Sequence, residues 1–270
     1  MHHHRCAWLF AVFQCLAALS CLVLPAAAQE PAAVAEPAIR AGYIEFPPYS
    51  YTDQHGQAAG EMIDLVRLLA QRSGHRVEFT HYPSFRLFKT LESGQVEVWA
   101  AVLNHPVLMP HILQSRYRIA RLKLNLYYLG QNAPQLPQDL RDSRVLVLQG
   151  FVYPNSPLTP YIEDPAYHIS KIQAPTHDAA VQMLHLQRAD YLLNYQAPME
   201  QLARATAQPS PASITVLEQD FTFAFAKRSP RAQRLRDDFD SALQQLKDGE
   251  QLPESFKAVE LHHQPSTTAK

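Results

Sequence analysis

The feature that most constrains the fold is an alternation of strand and helix patterns that occurs twice along the chain. The first series comprises strands over 39–44, 76–80 and 96–103, with helices over 61–73 and 85–92. In the helix over 61–73, Met62, Leu65, Val66 and Leu69 recur at i, i+3, i+4 and i+7. Ser84 is predicted to cap the next helix and Gly94 to end it. Such β-α-β-α-β segments form parallel sheets through right-handed crossovers.

The second series has the same order. It comprises strands over 144–148, 167–172 and 190–194, a short helix in the Pro-rich stretch between the first two, and a helix over 177–187 that Thr176 would cap. Two long strand patterns, 122–129 and 214–226, join the series. A last helix is predicted with Ser229 as its N-cap, Pro230 at its first position and Gly249 at its end. Its apolar face would contain Leu235, Phe239, Ala242 and Leu246.

The predicted fold class is therefore α/β, with two doubly wound lobes joined by a hinge of two crossings. Residues 38–121 with 220–260 would form lobe 1, and residues 122–219 lobe 2. The crossings fall near 120–124 and 217–221. Two lobes with only two connections are expected to move as rigid bodies.

The first 28 residues form a separate segment. A short basic start precedes an apolar run over 7–24, and Ala26, Ala27 and Ala28 offer a small-residue cleavage site. This pattern predicts a signal peptide removed before Gln29, and hence a periplasmic protein. Residues 29–37 are predicted to be a flexible leader, and residues 261–270 a disordered tail. All three cysteines lie inside the signal, so the mature chain has no disulfide or thiolate site.

Composition excludes several functions. The net charge of −1 provides no basic field for nucleic acid. The 8 glycines form neither G-x-G-x-x-G nor a P-loop, so no nucleotide cofactor is expected. His105 and His111 have no partner at a metal-ligand spacing, and no metal site is expected. We expect a monomer with no catalytic residues.

Ligands of open α/β sheets bind beyond the carboxyl ends of the strands. The loops at those ends are rich in aromatic side chains, which would be exposed unless a ligand or the other lobe covers them. The candidate ligand-binding residues are Phe46, Tyr49, Tyr51, Phe85, Arg86, Asn104, Phe151, Tyr153 and Tyr195. About half of these aromatics are expected to pack at lobe edges instead. Trp99 lies within a strand and is expected in the core.

Several short motifs, in this order and spacing, resemble the bacterial extracellular solute-binding proteins of family 3. They are Ile39-Arg40-Ala41-Gly42, Pro47-Pro48-Tyr49-Ser50-Tyr51, Gly60-Glu61-Met62-Ile63-Asp64-Leu65, Leu91 with Gly94, Asp139-Leu140-Arg141, Val147-Leu148-Gln149-Gly150, Arg188-Ala189-Asp190 and Phe223-Ala224-Phe225-Ala226-Lys227. The resemblance covers residues 39–259. It implies a two-lobed periplasmic receptor that closes on a small polar ligand, commonly an amino acid, and delivers it to a membrane transporter.

The sequence departs from the family pattern where an α-amino acid would be held. The arginine that usually grips the ligand carboxylate falls near Met109, and the acid that holds the ammonium aligns with Tyr195. Phe151 replaces the Ser/Thr that follows the equivalent of Gly150. Simple α-amino acids are therefore expected to bind poorly.

Arg86 offers a different anion contact. It lies in the first turn of a helix whose N-terminus faces the predicted cleft, where a guanidinium beside free N–H groups suits a carboxylate. A carboxylate-bearing ligand is therefore expected. The alternative is a surface arginine paired with Glu61 or Asp64.

The expected function is that of a receptor for an inner-membrane ABC permease. One alternative is a sensory receptor that acts on a chemoreceptor or kinase ectodomain. The other is a periplasmic enzyme resembling cyclohexadienyl dehydratases, with Glu45 as general acid in the cleft. Glu45 could equally pair with Arg40. The second lobe shows no carboxylate at a strand end, which argues against the enzyme.

Overall fold

A computed structural model describes residues 36–207 and 209–257. The predicted signal peptide, most of the leader and the tail lie outside the described residues. Within those two ranges, no helix has the length and apolar character needed to cross a membrane.

The strands are β1 (Ile39–Tyr43), β2 (Tyr51–Thr52), β3 (Ala58–Ala59), β4 (Val77–His81), β5 (Val98–Val102), β6 (Ile112–Gln114), β7 (Ala120–Tyr128), β8 (Arg144–Leu148), β9 (Ser170–Ala174), β10 (Tyr191–Tyr195) and β11 (Ala212–Ala226). The helices are α1 (Glu61–Arg72), α2 (Ser84–Ser93), α3 (Thr159–Glu163), α4 (His177–His185), α5 (Gln196–Thr206), α6 (Ala232–Asp248) and α7 (Glu254–Lys257).

Nine strands form one mixed sheet in the order β4-β1-β5-β11-β7-β10-β8-β9, with β6 paired to β11. At either side the pairs are parallel: β1 with β4 and β5, and β8 with β9 and β10. In the middle, β7 and β11 run antiparallel. The predicted α/β class with two crossing segments is confirmed. We call β1, β4, β5 and their helices α1, α2 and α6 the first half, and β8, β9, β10 with α3, α4 and α5 the second half.

The two crossing strands pair with each other, which the sequence did not reveal. Residues 120–128 pair with 212–221, and the register shifts between Thr215 and Leu217. Because β7 and β11 bond to each other and to one neighbour on each side, the sheet runs without a break from the first half to the second. The lobe boundaries and their rigid-body motion stay predictions.

The core of the first half depends on α6. Leu235, Phe239 and Leu246 are fully buried, as the helical spacing predicts. The Phe239 ring meets Phe223 and Phe225 edge-on, at 5.6 and 5.4 Å between centroids. Each such buried side chain stabilises the fold by about 1.5–3 kcal/mol. Helix α6 therefore completes the core that the N-terminal strands begin.

A buried carboxylate attaches α6 to the sheet. Glu97 is 2% exposed and accepts hydrogen bonds from Arg231 Nη2 (2.7 Å) and the Ser229 hydroxyl (2.7 Å). Arg231 also donates to the carbonyls of Pro37 and Ala38 before β1. This network joins three chain segments that are distant in sequence.

Two predicted caps are wrong. Ser84 is the first helical residue of α2, and Pro83 precedes it with φ −57° and ψ 141°. The Pro83 carbonyl accepts from Arg86 and Leu87, so the proline occupies the cap position that the sequence assigned to serine. Ser229 does not cap α6, because the helix begins at Ala232 and Arg231 occupies the cap position. Pro230 is therefore outside the helix rather than at its first position.

Other boundaries differ in the second half. Strand β9 begins at Ser170 rather than at 167, because Pro165–Tyr167 form a 3-10 turn. Helix α5 was not predicted. Its Pro198 falls in the first turn, where a missing N–H removes no helical hydrogen bond. Two predictions hold in detail: Thr176 caps α4 by accepting from the Ala179 N–H at 3.1 Å, and Gly94 ends α2 with φ 78°.

Candidate functional site

A cleft of about 630 Å³ lies where the strands of both halves end, a volume typical of small-molecule sites. The first half contributes the segments after β1 and β4, and the second half those after β8 and β9 together with α5. Its lining comprises Ile44, Glu45, Pro47, His81, Tyr82, Pro83, Ser84, Phe85, Leu148, Gln149, Gly150, Phe151, Pro175, Thr176, His177, Asp178, Pro198, Gln201, Leu202 and Ala205. The rule that ligands bind at strand ends thus locates a real cavity.

The two halves meet closely at one end of this cleft. A Cβ atom added to Gly150 would lie 4.0 Å from the backbone nitrogen of Phe85 and from Ser84 Cβ. Gly150 has φ +76°, a conformation that favours glycine. The loop after β8 can therefore approach the N-terminus of α2.

Phe46 is the centre of an aromatic cluster that spans both halves. It follows β1, yet it is 5% exposed and packs in the apolar core of the second half. Its ring stands edge-on to Tyr195 at 5.2 Å and stacks on Phe221 at 6.2 Å. Tyr49 and Phe151 complete the cluster at 5.8 and 6.4 Å. Sequence reasoning placed four of these five aromatics at the site and missed Phe221.

The hydroxyls of Tyr153 and Tyr195 are already bonded within the protein. The Leu148 N–H donates to the Tyr153 hydroxyl oxygen at 3.1 Å, and the Gln219 side chain donates to that of Tyr195. Both residues are buried, and burial raises the pKa of each phenol well above its ordinary value. Both were predicted as ligand-binding residues, but they pack in the apolar core of the second half and are absent from the lining of the cleft.

Of the nine candidate residues, Phe85 and Phe151 line the cleft and seven lie outside its lining. Four of the seven are the aromatics already described, Phe46, Tyr49, Tyr153 and Tyr195, and the other three are Tyr51, Asn104 and Arg86. Tyr51 is half-buried in the β2–β3 hairpin, and Asn104 is exposed in a turn with φ 55°. Arg86 is exposed, and its side chain makes no hydrogen bond or ion pair with residues 36–207 or 209–257. The alternative that it pairs with Glu61 or Asp64 is not realised. Phe85, by contrast, lines the cleft with 65% of its surface exposed.

Glu45 is held by the neighbouring hairpin. Its carboxylate accepts from the Thr52 hydroxyl at 2.7 Å and the Thr52 N–H at 3.1 Å, and His81 Nε2 lies 3.6 Å away. The pairing of Glu45 with Arg40 does not occur, because Arg40 bonds to the Gly94 and Gln95 carbonyls and to Glu97. Glu45 is therefore a fixed but accessible acid of the cleft.

Asp178 is a second acid of the cleft, in the half where none was expected. It is exposed in the first turn of α4 and accepts from Gln182 Nε2 at 2.7 Å. The sequence search stopped at Thr176, the helix cap, two residues before it. A search through the first turn of the following helix would have found it.

His177 is a further functional candidate that the sequence did not reveal, because the predicted ligand-binding segment ended one residue earlier, at Thr176. It is 8% exposed, lines the cleft, and packs against Phe151 at 5.7 Å and Phe46 at 6.4 Å. Burial lowers its pKa to about 4, although the Glu45 carbonyl and Asn194 oppose the shift. Its ring is therefore neutral near pH 7.

A smaller cavity of about 70 Å³ shares Ile44, Ser84 and Phe151 with the cleft. His105 lines it, 2% exposed, and both ring nitrogens are unpartnered within the described part of the chain. Burial lowers the pKa of His105, and Phe88 meets its ring at 5.1 Å. Half-buried Trp99 also lines this cavity. The volume suits water molecules rather than a ligand of amino-acid size.

The comparisons agree with this architecture. Residues 39–117 match the model of the bacterial extracellular solute-binding proteins, family 3. The resemblance inferred from the motifs is thereby confirmed, over the part of the chain that forms β1 to β6. Proteins of this family work outside the cytoplasmic membrane. The search of curated proteins gives no match.

Solved structures extend the likeness to most of the chain. A histidine kinase sensor domain with similarity to periplasmic binding proteins has a TM-score of 0.68 and 20% identity, over 85% of this chain and 98% of that one. An ABC uptake transporter substrate-binding protein from Streptococcus pneumoniae, with bound histidine, has a TM-score of 0.66 and 15% identity, over 83% and 94%. An ancestral amino acid-binding protein, described as a precursor of cyclohexadienyl dehydratase, has a TM-score of 0.62 and 21% identity, over 80% of this chain and 91% of that one.

At these identities the structural likeness shows the fold. This fold is that of periplasmic binding proteins. The descriptions of most of these neighbours name binding rather than catalysis.

Proposed function

We propose that this protein is a solute receptor that binds a small organic molecule in the cleft and closes its two halves over it. The observation that carries the proposal is the cleft itself: about 630 Å³, lined by strand ends of both halves. A ligand that touches both halves favours the conformation in which they are close.

The crossing strands provide a place for such a movement. Strands β7 and β11 are the connection between the halves, and their register shifts between Thr215 and Leu217. An irregular ladder has fewer regular hydrogen bonds to disturb when the strands twist. We place the hinge at residues 120–124 and 217–221.

A receptor explains the cleft better than an enzyme does. A general acid needs a pKa near the working pH, which enzymes obtain by placing the carboxyl in an apolar setting. Glu45 and Asp178 are instead exposed and hydrogen-bonded. The dehydratase alternative therefore lacks a carboxyl in an apolar setting among the described residues of the cleft.

The partner is proposed to be an inner-membrane ABC permease that accepts the closed, loaded receptor. The likeness to a kinase sensor domain keeps a sensory ectodomain as the alternative partner. Deleting the gene distinguishes the two: loss of radiolabelled solute uptake supports transport, and intact uptake with a lost transcriptional response supports sensing.

The binding function is tested by a thermal-shift screen of the mature protein against amino acids, organic acids, polyamines and aromatic amines. A ligand present at 100 times its Kd adds about 2.7 kcal/mol of stability. Small-angle scattering with each hit should show a smaller radius of gyration. If no compound shifts the melting temperature, or if a saturating hit leaves the radius unchanged, the receptor proposal is wrong.

A matched pair of variants locates the site. Phe85 is 65% exposed in the cleft, and Leu186 is 64% exposed in the neighbouring groove between α4 and α5 and does not line the cleft. Phe85→Ala should weaken binding of the hit, while Leu186→Ala should not. Both should leave the unliganded stability within about 0.5 kcal/mol, as exposed substitutions do.

A further inference from the structure

The charges that line the cleft are all negative among its described residues. Glu45 and Asp178 are the lining carboxylates, and no lysine or arginine accompanies them. Glu45 is 48% exposed, and His81 lies beside it, 3.6 Å away. An anionic ligand would therefore meet repulsion, whereas a cation would meet attraction.

Aromatic faces accompany these carboxylates. Phe85 stands exposed in the cleft, and Tyr82 and Phe151 line it as well. Aromatic faces attract organic cations electrostatically, and the attraction grows as water is excluded. Closure of the halves would exclude water from this space.

Among its described residues, the lining of the cleft has no cationic side chain to pair with a carboxylate. Met109 lies outside the lining, and its carbonyl accepts from Lys227 at 3.1 Å. The Tyr195 hydroxyl is occupied by Gln219. Arg86, the remaining candidate for an anion contact, is exposed away from the lining.

His177 adds a directional requirement. Asn194 Oδ1 accepts from the Tyr195 N–H at 2.9 Å, which fixes the amide so that its Nδ2 donates to His177 Nδ1 at 3.0 Å. A neutral imidazole that accepts at Nδ1 carries its proton on Nε2. Nε2 is buried and has no hydrogen-bond partner of normal geometry among the described residues, although the Glu45 carbonyl lies near the ring. It is therefore a donor without a well-placed acceptor, in a residue that lines the cleft.

We propose that the solute is an organic cation that carries a hydrogen-bond acceptor oxygen and no carboxylate, with its charge near Glu45 and Asp178 and its oxygen at His177 Nε2. This inference rests on the proposed receptor function and specifies the ligand class of the same cleft. The proposed solute differs from an α-amino acid in that it has no carboxylate.

Four related probes test the proposal by calorimetry. Tyramine and tyrosine differ by a carboxylate, as do phenethylamine and phenylalanine, while the phenolic oxygen distinguishes tyramine from phenethylamine. We expect each amine to bind tenfold or more tightly than its amino acid, because an unpaired carboxylate is costly to desolvate. Tyramine should also bind more tightly than phenethylamine, because only tyramine offers His177 an acceptor.

Variants assign the contacts. Glu45→Gln should weaken tyramine binding about two- to fivefold, as for a partly exposed ion pair, and the exposed control Glu78→Gln should leave it unchanged. His177→Phe should remove the preference for tyramine over phenethylamine. If that variant does not fold, the proposal is judged from two other results: the ratio of tyramine to phenethylamine affinity in the wild-type protein, and the effect of Glu45→Gln.

The outcomes separate the two proposals. Tyrosine that binds as tightly as tyramine, or any sub-micromolar α-amino acid, overturns the cation inference and leaves the receptor function intact. Failure of both amines to shift the melting temperature at about 10 mM also overturns it, since even a millimolar Kd would be visible there. If nothing in the wider screen binds, the receptor function itself fails.

Discussion

Protonation of Glu97 should destabilise the protein in acid. Burial by itself would raise the pKa of Glu97, but hydrogen bonds from Arg231, Ser229 and the Arg40 N–H outweigh it and lower the pKa to about 2, from an ordinary 4.5. A carboxyl whose pKa is lower in the folded state stabilises the fold above its unfolded pKa. This contribution is complete above pH 4.5 and is lost as the pH falls towards 2.

The size of the effect follows from the same values. The difference between 4.5 and about 2, at about 1.4 kcal/mol per pH unit, gives an upper bound of about 3 kcal/mol. Solvent near the partly exposed Arg40 side chain reduces this to about 2 kcal/mol. Glu97→Gln should therefore cost at least about 2 kcal/mol at pH 7, because it also leaves the Arg231 guanidinium without its counter-charge.

Urea unfolding at several pH values measures this directly. The gap in the free energy of unfolding between wild type and Glu97→Gln should shrink as the pH falls from 5 to 3. The control, Glu78→Gln, removes an exposed carboxylate on β4 and should follow the wild-type curve at every pH. A Glu97→Gln protein as stable as wild type at pH 7, or a gap that stays constant down to pH 3, would refute the reasoning.

Three further substitutions have defined outcomes. Tyr153→Phe leaves the buried Leu148 N–H without its acceptor and should cost about 1–3 kcal/mol in urea unfolding; an unchanged midpoint would mean that water replaces the hydroxyl. Phe46→Ala empties the centre of the aromatic cluster beside Tyr195 and should cost about 3–5 kcal/mol; a loss below 1 kcal/mol would show that the cluster does not hold the halves together. Arg86→Ala should leave the melting temperature without ligand unchanged, and calorimetry decides its role: a loss of about 30-fold in affinity for a screening hit would support the predicted anion contact, and unchanged affinity would remove it.

The exposure of Arg86 could have been predicted from the helical periodicity of the sequence around it. Leu87 and Leu91, four residues apart, are both fully buried and define the inner face of α2. Arg86 falls beside this face and is exposed. The periodicity used for the other helices, applied here, would have placed the side chain at the surface. The helix dipole argument located the N-terminus correctly, but it did not specify which side chains face the ligand.

Some residues of the site were predicted from the sequence and others were missed. Strand ends predicted the cleft and two of its lining residues, Phe85 and Phe151, because the carboxyl ends of parallel strands share one edge of a sheet. Asp178 and His177 were missed because the first turn of a helix also faces that edge.

The sequence by itself determined the alternation of the main strands and helices, the buried face of α6 and the stop at Gly94, because hydrophobic period and turn chemistry act within a few residues. Only the tertiary structure decided that Phe46 enters the core of the second half and that Asn194 orients His177. The Phe46 contact joins segments far apart in the chain, and β7 and β11, which pair with each other, connect the two halves that it spans. No local pattern encodes that pairing, since its register is set by the packing of both halves at once.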